Sequence, residues 1–155
     1  MTPISEFFAQ LGFPLHNVRW SWGAERDGAI LLRTWEQDFN FRECKVMALR
    51  AAARRDVTEP DARAGRAERV QHAKALWEGR AAGYTVLVTA RDPNARVREI
   101  ESYREDVVWA IERLQREEDG SVVAILQRIP VPVGQLAEHA RNHCTAPVGT
   151  QFPVP

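Results

Sequence analysis

The sequence predicts an α+β domain, built as a small curved mixed sheet or a barrel of about six strands with two principal helices. Three observations carry this. Asp27-Gly28 separates two apolar stretches, 17–25 and 29–38, with the dipeptide that best accepts the positive φ of a tight hairpin. Asp119-Gly120 separates a second pair, 107–115 and 121–129. Between the hairpins Ala67, Val70, Ala73 and Trp77 recur at helical intervals ahead of Gly79, which predicts a helix over 66–78.

The remaining elements follow from local chemistry. Thr2-Pro3 reads as an N-cap with proline at the first helical position, and Phe7, Phe8 and Leu11 form an apolar stripe that Gly12 and Pro14 end. Val46 to Leu49 reads as a third strand, and the polar, alanine-rich segment 54–65, with Pro60, as a loop. Tyr84 to Ala90 is β-branched and apolar, the pattern of a buried strand. The stretch from Val122 to Ile129 is apolar almost throughout, as expected of a strand covered on both faces, and Pro130 and Pro132 are expected to end the sheet. A short helix is expected over 135–142. The expected organisation is one globular domain over 1–146 and an irregular C-terminal tail over 147–155.

Length and charge narrow the function classes. A chain of 155 residues, 45% hydrophobic, is long enough to bury one core without disulfide or metal staples. Its 21 basic and 21 acidic residues cancel, so bulk charge announces no nucleic-acid partner. Distribution is more informative: residues 42–80 carry ten basic against six acidic side chains, and the flanking segments are slightly acidic. Two cysteines, Cys44 and Cys144, lie far apart without a C-x-x-C pairing, which favours a reducing compartment. No leader pattern and no apolar run near the roughly 18 residues of a membrane helix is present, so a cytoplasmic protein without a membrane partner is expected. There is no glycine-rich phosphate loop and no G-x-S-x-G elbow, and no cofactor is implied.

The most distinctive feature is aromatic. Trp20, Trp22 and Trp35 fall within sixteen residues of the first predicted hairpin. On an extended strand Trp20 and Trp22 share a face with Val18, and Arg19 and Ser21 occupy the other. Two indoles at this spacing, with a third on the next strand, build one wall of a pocket for a flat ring, the alternative being a tryptophan-rich core.

The segments Trp20-Ser21-Trp22-Gly23-Ala24, Leu31 to Glu36, Arg91-Asp92-Pro93-Asn94-Ala95 and Ile129-Pro130-Val131 resemble a group of small bacterial proteins. These occur alone or beside HNH nuclease modules in restriction and mobile-element contexts, and the resemblance spans about residues 5–131. In architecture the chain is similar to PUA-like barrels, whose EVE, ASCH and SRA branches bind RNA or modified bases in DNA. The resemblance implies a non-catalytic reader of an extruded base. Trp20, Trp22 and Trp35 would stack on it, and Asn17, Ser21 and Asp38 would meet its edge. Arg19 and Arg33 would hold adjoining phosphates, and Arg50, Arg54, Arg55, Arg63, Arg66 and Arg69 would supply the sequence-independent affinity.

Other chemistries are weaker in the sequence. One alternative is a protein-interaction module without a nucleic-acid ligand. Another is a metal-dependent nuclease, in which Glu43-Cys44-Lys45 supplies an E-x-K half-motif and Asp27 or Asp38 the second carboxylate. His139 and His143, four residues apart beside Cys144, would need His16 or His72 to complete a zinc site, and ordinary histidines on a surface helix are the expected reading. The expected catalytic and metal residues are therefore none.

Overall fold

The computed structural model describes residues 1–51 and 60–153. The first hairpin forms at the expected turn. Strands β1 (Gly23–Arg26) and β2 (Ala29–Trp35) pair antiparallel across Asp27 and Gly28, whose φ angles of 48° and 81° are both left-handed. That is the backbone of a type I′ turn, whose twist matches that of the paired strands. The expected strand over 17–22 is absent, and the chain there runs in turns and bends. Asn17 and Ser21 explain this. The Ser21 N–H donates to the Asn17 carbonyl at 2.9 Å, the Asn17 N–H donates to Ser21 Oγ at 3.0 Å, and the Arg19 N–H donates to Asn17 Oδ1 at 2.9 Å. Short polar side chains have offered the backbone local partners in place of a ladder.

A 3-10 turn over 36–38 leads to β3 (Phe39–Asn40) and β4 (Lys45–Leu49). Helix α2 runs from Pro60 to Trp77, so residues 60–65, expected as loop, belong to the helix. Proline at the first helical position costs no hydrogen bond, because that N–H has no intrahelical acceptor. Strand β5 (Ala82–Ala90) lies parallel to β2, and the whole segment between them makes the crossover. A strand the sequence did not announce, β6 (Ile100–Tyr103), folds back on β5. The second hairpin joins β7 (Val107–Arg116) to β8 (Val122–Leu126) through Gly120 at φ 88°. Its return strand stops at Leu126, three residues early. Proline does not end the sheet: Val131 and Pro132 form β9, which pairs with Val108 and Val107 of β7.

Among the described residues these elements make one nine-stranded mixed sheet, with central order β1-β2-β5-β7-β8-β4-β3. The fold is α+β, with more strands than the six expected. Alternation along β2 decides which face each side chain serves. Ile30 and Leu32 pack with Val46, Ile111 and Leu114 against Ala73, Leu76 and Trp77 of α2. Leu31 faces the opposite way, with Tyr84, Val86 and Val88, against Phe7 and Phe8 of α1 (Ile4–Gln10) and Leu136 of α3 (Leu136–Asn142). Two covered faces account for the continuous apolar runs of the central strands. Helix α1 starts one residue later than expected: Pro3 is its cap, in extended conformation, and Thr2 makes no capping bond.

No ladder closes the sheet on itself among the described residues, so it is not a barrel. Its two arms nevertheless meet at one side chain. Arg69 donates from Nη1 to the Ala48 carbonyl of β4 and from Nη2 to the Arg33 carbonyl of β2, each at 2.6 Å. In a flat sheet β2 and β4, four strands apart in this order, would lie about 19 Å from each other.

The tail is irregular, as expected, but it is docked. The Val148 N–H donates to the Trp77 carbonyl at 3.0 Å, Trp77 Nε1–H donates to the Thr150 carbonyl at 2.6 Å, and the Phe152 ring meets the Trp77 indole edge-on at 5.7 Å. No helix among the described residues is long and apolar enough to cross a membrane.

Candidate nucleic-acid interface

Each of the three N-terminal tryptophans meets its own set of neighbours. Trp20 meets His16 edge-on, with ring centroids 5.8 Å apart. Trp22 lies on α2, which carries glycine at the contact: a Cβ on Gly65 would come within 2.6 Å of the indole and 2.7 Å of the Trp20 carbonyl. The Arg69 guanidinium sits 5.8 Å from the centre of the same indole. It also donates to the Trp22 carbonyl at 2.9 Å, so its three acceptors are backbone oxygens from three segments.

Trp35 is similarly taken up by cations. Arg33 and Arg98 place their guanidinium carbons 5.8 and 5.6 Å from its ring centre, within cation–π range. Arg98 lies in the loop between β5 and β6 and went unnoticed in the sequence, although its loop was singled out. Asp38, expected at a base edge, instead anchors this group. It accepts from Arg98 Nη1 at 2.8 Å and pairs with Arg50 Nη2 at 3.0 Å. Arg66 Nη1 donates to the Arg50 carbonyl at 2.9 Å. Arg63 and Arg19 are exposed. Arg54 and Arg55 lie outside the described residues.

Arg33 and Arg98 flank the Trp35 indole and Arg69 lies over Trp22, while Arg50 shares the Asp38 carboxylate with Arg98 and Arg66 meets the Arg50 carbonyl. Arg33 has the indole of Trp35 and no carboxylate ion pair among the described residues. Burial pushes its pKa down. Burial, with the nearby charge of Arg33, also pushes Arg69 down to about 9. Both groups remain cationic at neutral pH, at a desolvation cost that an anion would offset.

Glu68 is the residue that sequence reading missed altogether. Its Oε2 accepts the Ser21 hydroxyl at 3.2 Å, and burial raises its pKa. Three buried polar atoms in this turn of α2 have no hydrogen-bond partner among the described residues: Glu68 Oε1, Arg69 Nε and His72 Nδ1. Desolvation, reinforced by the charge of Arg69, pushes His72 down to about 4. The unfolded chain takes up that proton near pH 6.5 and the folded chain only near 4, so stability is present above 6.5 and is lost as pH falls through this window. We expect a loss on the order of 2–3 kcal/mol between these limits. Urea midpoints measured across the window should flatten in His72→Gln, and an unchanged slope in that variant would remove His72 as the cause.

Elsewhere the residues of the alternative nuclease constellation do not assemble. Lys45 Nζ is held between Glu43 at 2.7 Å and Glu117 at 2.8 Å, and neither expected aspartate is its partner. Asp38 is bound to arginines, and Asp27 is exposed in the first turn. Among the described residues no cluster of three His, Cys, Asp or Glu side chains is placed to hold a metal ion. His139 Nδ1 shares a 2.6 Å hydrogen bond with the Tyr84 hydroxyl, and His143 Nε2 faces the Ile111 carbonyl at 3.1 Å. Two hollows of about 400 and 390 Å³ lie away from the arginines, one between α2 and the tail and one beside α1.

The class defined by this geometry is an α+β domain with an arginine–tryptophan cluster where one helix bridges the two arms of its sheet. No family model, curated protein or solved structure matches the chain.

Proposed function

We propose that the protein is a non-catalytic nucleic-acid-binding module, with DNA or RNA as ligand, whose interface is the cluster of Arg33, Arg50, Arg66 and Arg98, Arg69 being committed to backbone carbonyls beneath it. The observation that carries this reading is the guanidinium of Arg33. It is part-buried, lies against Trp35, has Arg69 as a like-charged neighbour, and lacks a carboxylate ion pair among the described residues. Phosphate is the anion that a planar fork held in this way suits, because two parallel N–H groups match two of its oxygens. Trp22 and Trp35 then serve to hold guanidinium groups in place. The resemblance to modules found beside HNH nucleases supports a role in bacterial restriction or mobile-element defence and, with it, a modified base as the ligand.

Counterion release provides the test. Tryptophan fluorescence titrations with short oligonucleotides should give a log–log salt slope of about −3 to −4, corresponding to about four phosphates. Arg50→Ala should make that slope shallower by about 1 and weaken binding to all sequences alike. Absence of any titration at low salt would end this reading. A protein-facing role has one observation of its own. Phe41 and Ile129 are 71% and 82% exposed, and their segments are joined where Arg128 Nη2 donates to the Arg42 carbonyl at 3.1 Å. Concentration-dependent mass without any nucleic-acid titration would favour it.

A further inference from the structure

Tyr84, His139 and His143 form a compact group of rings where α3 meets the sheet. The Tyr84 ring lies 5.5 Å from each imidazole, and the two imidazoles are 5.1 Å apart, centre to centre. Helix α3 supplies His139, and His143 follows four residues on as its cap, in extended conformation. Each imidazole is anchored through one nitrogen. His139 Nδ1 shares its 2.6 Å hydrogen bond with the Tyr84 hydroxyl on β5, and His143 Nε2 lies 3.1 Å from the Ile111 carbonyl on β7. A carbonyl only accepts, so neutral His143 carries its proton on Nε2 and keeps a lone pair on Nδ1. The other nitrogens of the pair, His139 Nε2 and His143 Nδ1, have no hydrogen-bond partner among the described residues. Both histidines are half-buried, so solvent reaches them, whereas Tyr84 is fully covered.

We propose that His139 Nε2 and His143 Nδ1 bind one divalent transition ion of the Ni²⁺, Cu²⁺ or Zn²⁺ type, its remaining positions filled by water. The spacing suits this. With nitrogen–metal bonds of about 2.0–2.1 Å and a tetrahedral angle, two imidazoles on one ion have their centres about 5 Å apart. The anchors suit it too, because a metal-bound imidazole characteristically donates its other N–H to a fixed acceptor that holds its tautomer and orientation. The Ile111 carbonyl is that acceptor for His143, and the Tyr84 oxygen becomes it for His139 once Nε2 carries the ion. A pair of imidazoles selects these ions over Mg²⁺ and Ca²⁺, which take oxygen ligands. Cys144 is not a third ligand, since its thiol is directed to the Gly79 and Thr145 carbonyls, each 3.6 Å away. With the two rings anchored to β5 and β7, the bound ion fastens the end of α3 to the sheet.

Ni²⁺ is the probe. Calorimetric titration of the full-length protein, dialysed first against EDTA and then against chelator-free buffer, should show one saturable site. Ni²⁺ at about a hundredfold excess over its Kd should raise the melting temperature by about 5 °C or more. His139→Gln and His143→Gln each leave a single imidazole and should weaken binding by about 100-fold, because the second ligand acts at a high effective concentration. Tyr84→Phe removes an anchor and no ligand, and should weaken binding by about tenfold. Cys144→Ser should leave the titration unchanged. Absence of a saturable site overturns the proposal, as does a site that survives in both histidine variants, one that is lost in Cys144→Ser, or one that takes Mg²⁺ equally well. Should Tyr84→Phe fail to fold, the two histidine variants, altered at half-buried positions on a terminal helix, decide the matter alone.

Discussion

Arg69→Ala should lower stability by about 3–5 kcal/mol, the range seen when a buried charged group bonded on several sides is removed. The reason lies in strand geometry. In a strand the N–H and C=O of one residue point to the same side. The Arg33 N–H donates to the Trp22 carbonyl at 2.9 Å, so its C=O points the same way, just past the end of β1. No strand continues there to receive it, and Arg69 Nη2 does so at 2.6 Å. Its Nη1 performs the same service for Ala48 on the other arm of the sheet. The alanine variant strands both carbonyls in a dry interior and leaves Trp22 without its cation. At roughly 2–4 °C per kcal/mol for a chain of this size, the melting temperature should fall by about 10 °C. Lysine should not rescue, because a point charge cannot serve three carbonyls from three segments at once. A loss below about 1 kcal/mol in urea unfolding would show that the arms of the sheet hold together without the guanidinium.

That side chain also marks where the sequence stopped being legible. The resemblance makes Arg69 one of six phosphate-binding arginines, since arginine is rarely buried and nothing local distinguishes it from Arg66. Its neighbours 65–77 do alternate helically, and the helix, both hairpin turns and β5 could be placed from period and turn chemistry alone. The strands that could not be placed were β3, β6 and β9, of two, four and two residues. Strands this short carry no period, and they exist because a longer neighbour, β4, β5 or β7, offers an edge. The polar segment 54–65 reads as a loop, whereas Gly65 sits inside α2, where a Cβ would come within 2.6 Å of the Trp22 indole.

The candidate site was half legible for the same reason. Trp22, Trp35, Arg33 and Asp38 do gather near one another, so their clustering in sequence was informative. The grouping came from alternation along a strand that does not form, and the partners came from elsewhere. Arg98 arrives from a loop sixty residues beyond Asp38, and Glu68 from helix α2, forty-seven residues beyond Ser21. Contacts at such separations are set by the β2–β5 crossover, which no local pattern encodes.

Removing residues 147–155 should cost about 3–4 kcal/mol and lower the melting temperature by about 10 °C, although the sequence marks this segment only as an irregular tail. The prolines and missing period of this segment correctly ruled out a helix or strand. They do not rule out docking, since an irregular chain can still bury single side chains. Val148 and Phe152 both pack on the core formed under α2, each burial being worth up to about 1.5–3 kcal/mol when complete. Truncation also orphans the Trp77 indole N–H, whose acceptor is the Thr150 carbonyl at 2.6 Å, and uncovers a side chain that is now 3% exposed. Pro147 closes the contact on Gly79, whose φ of 70° ends the helix and whose missing Cβ leaves room, since one there would lie 3.0 Å from the proline ring. Phe152→Ala, which keeps the backbone and the indole's acceptor, should cost a smaller share, about 1–2 kcal/mol. The ordering tests the account. If truncation and Phe152→Ala cost the same, the hydrogen bond to Thr150 contributes nothing, and if neither moves the melting temperature, the tail is not held against Trp77 in solution.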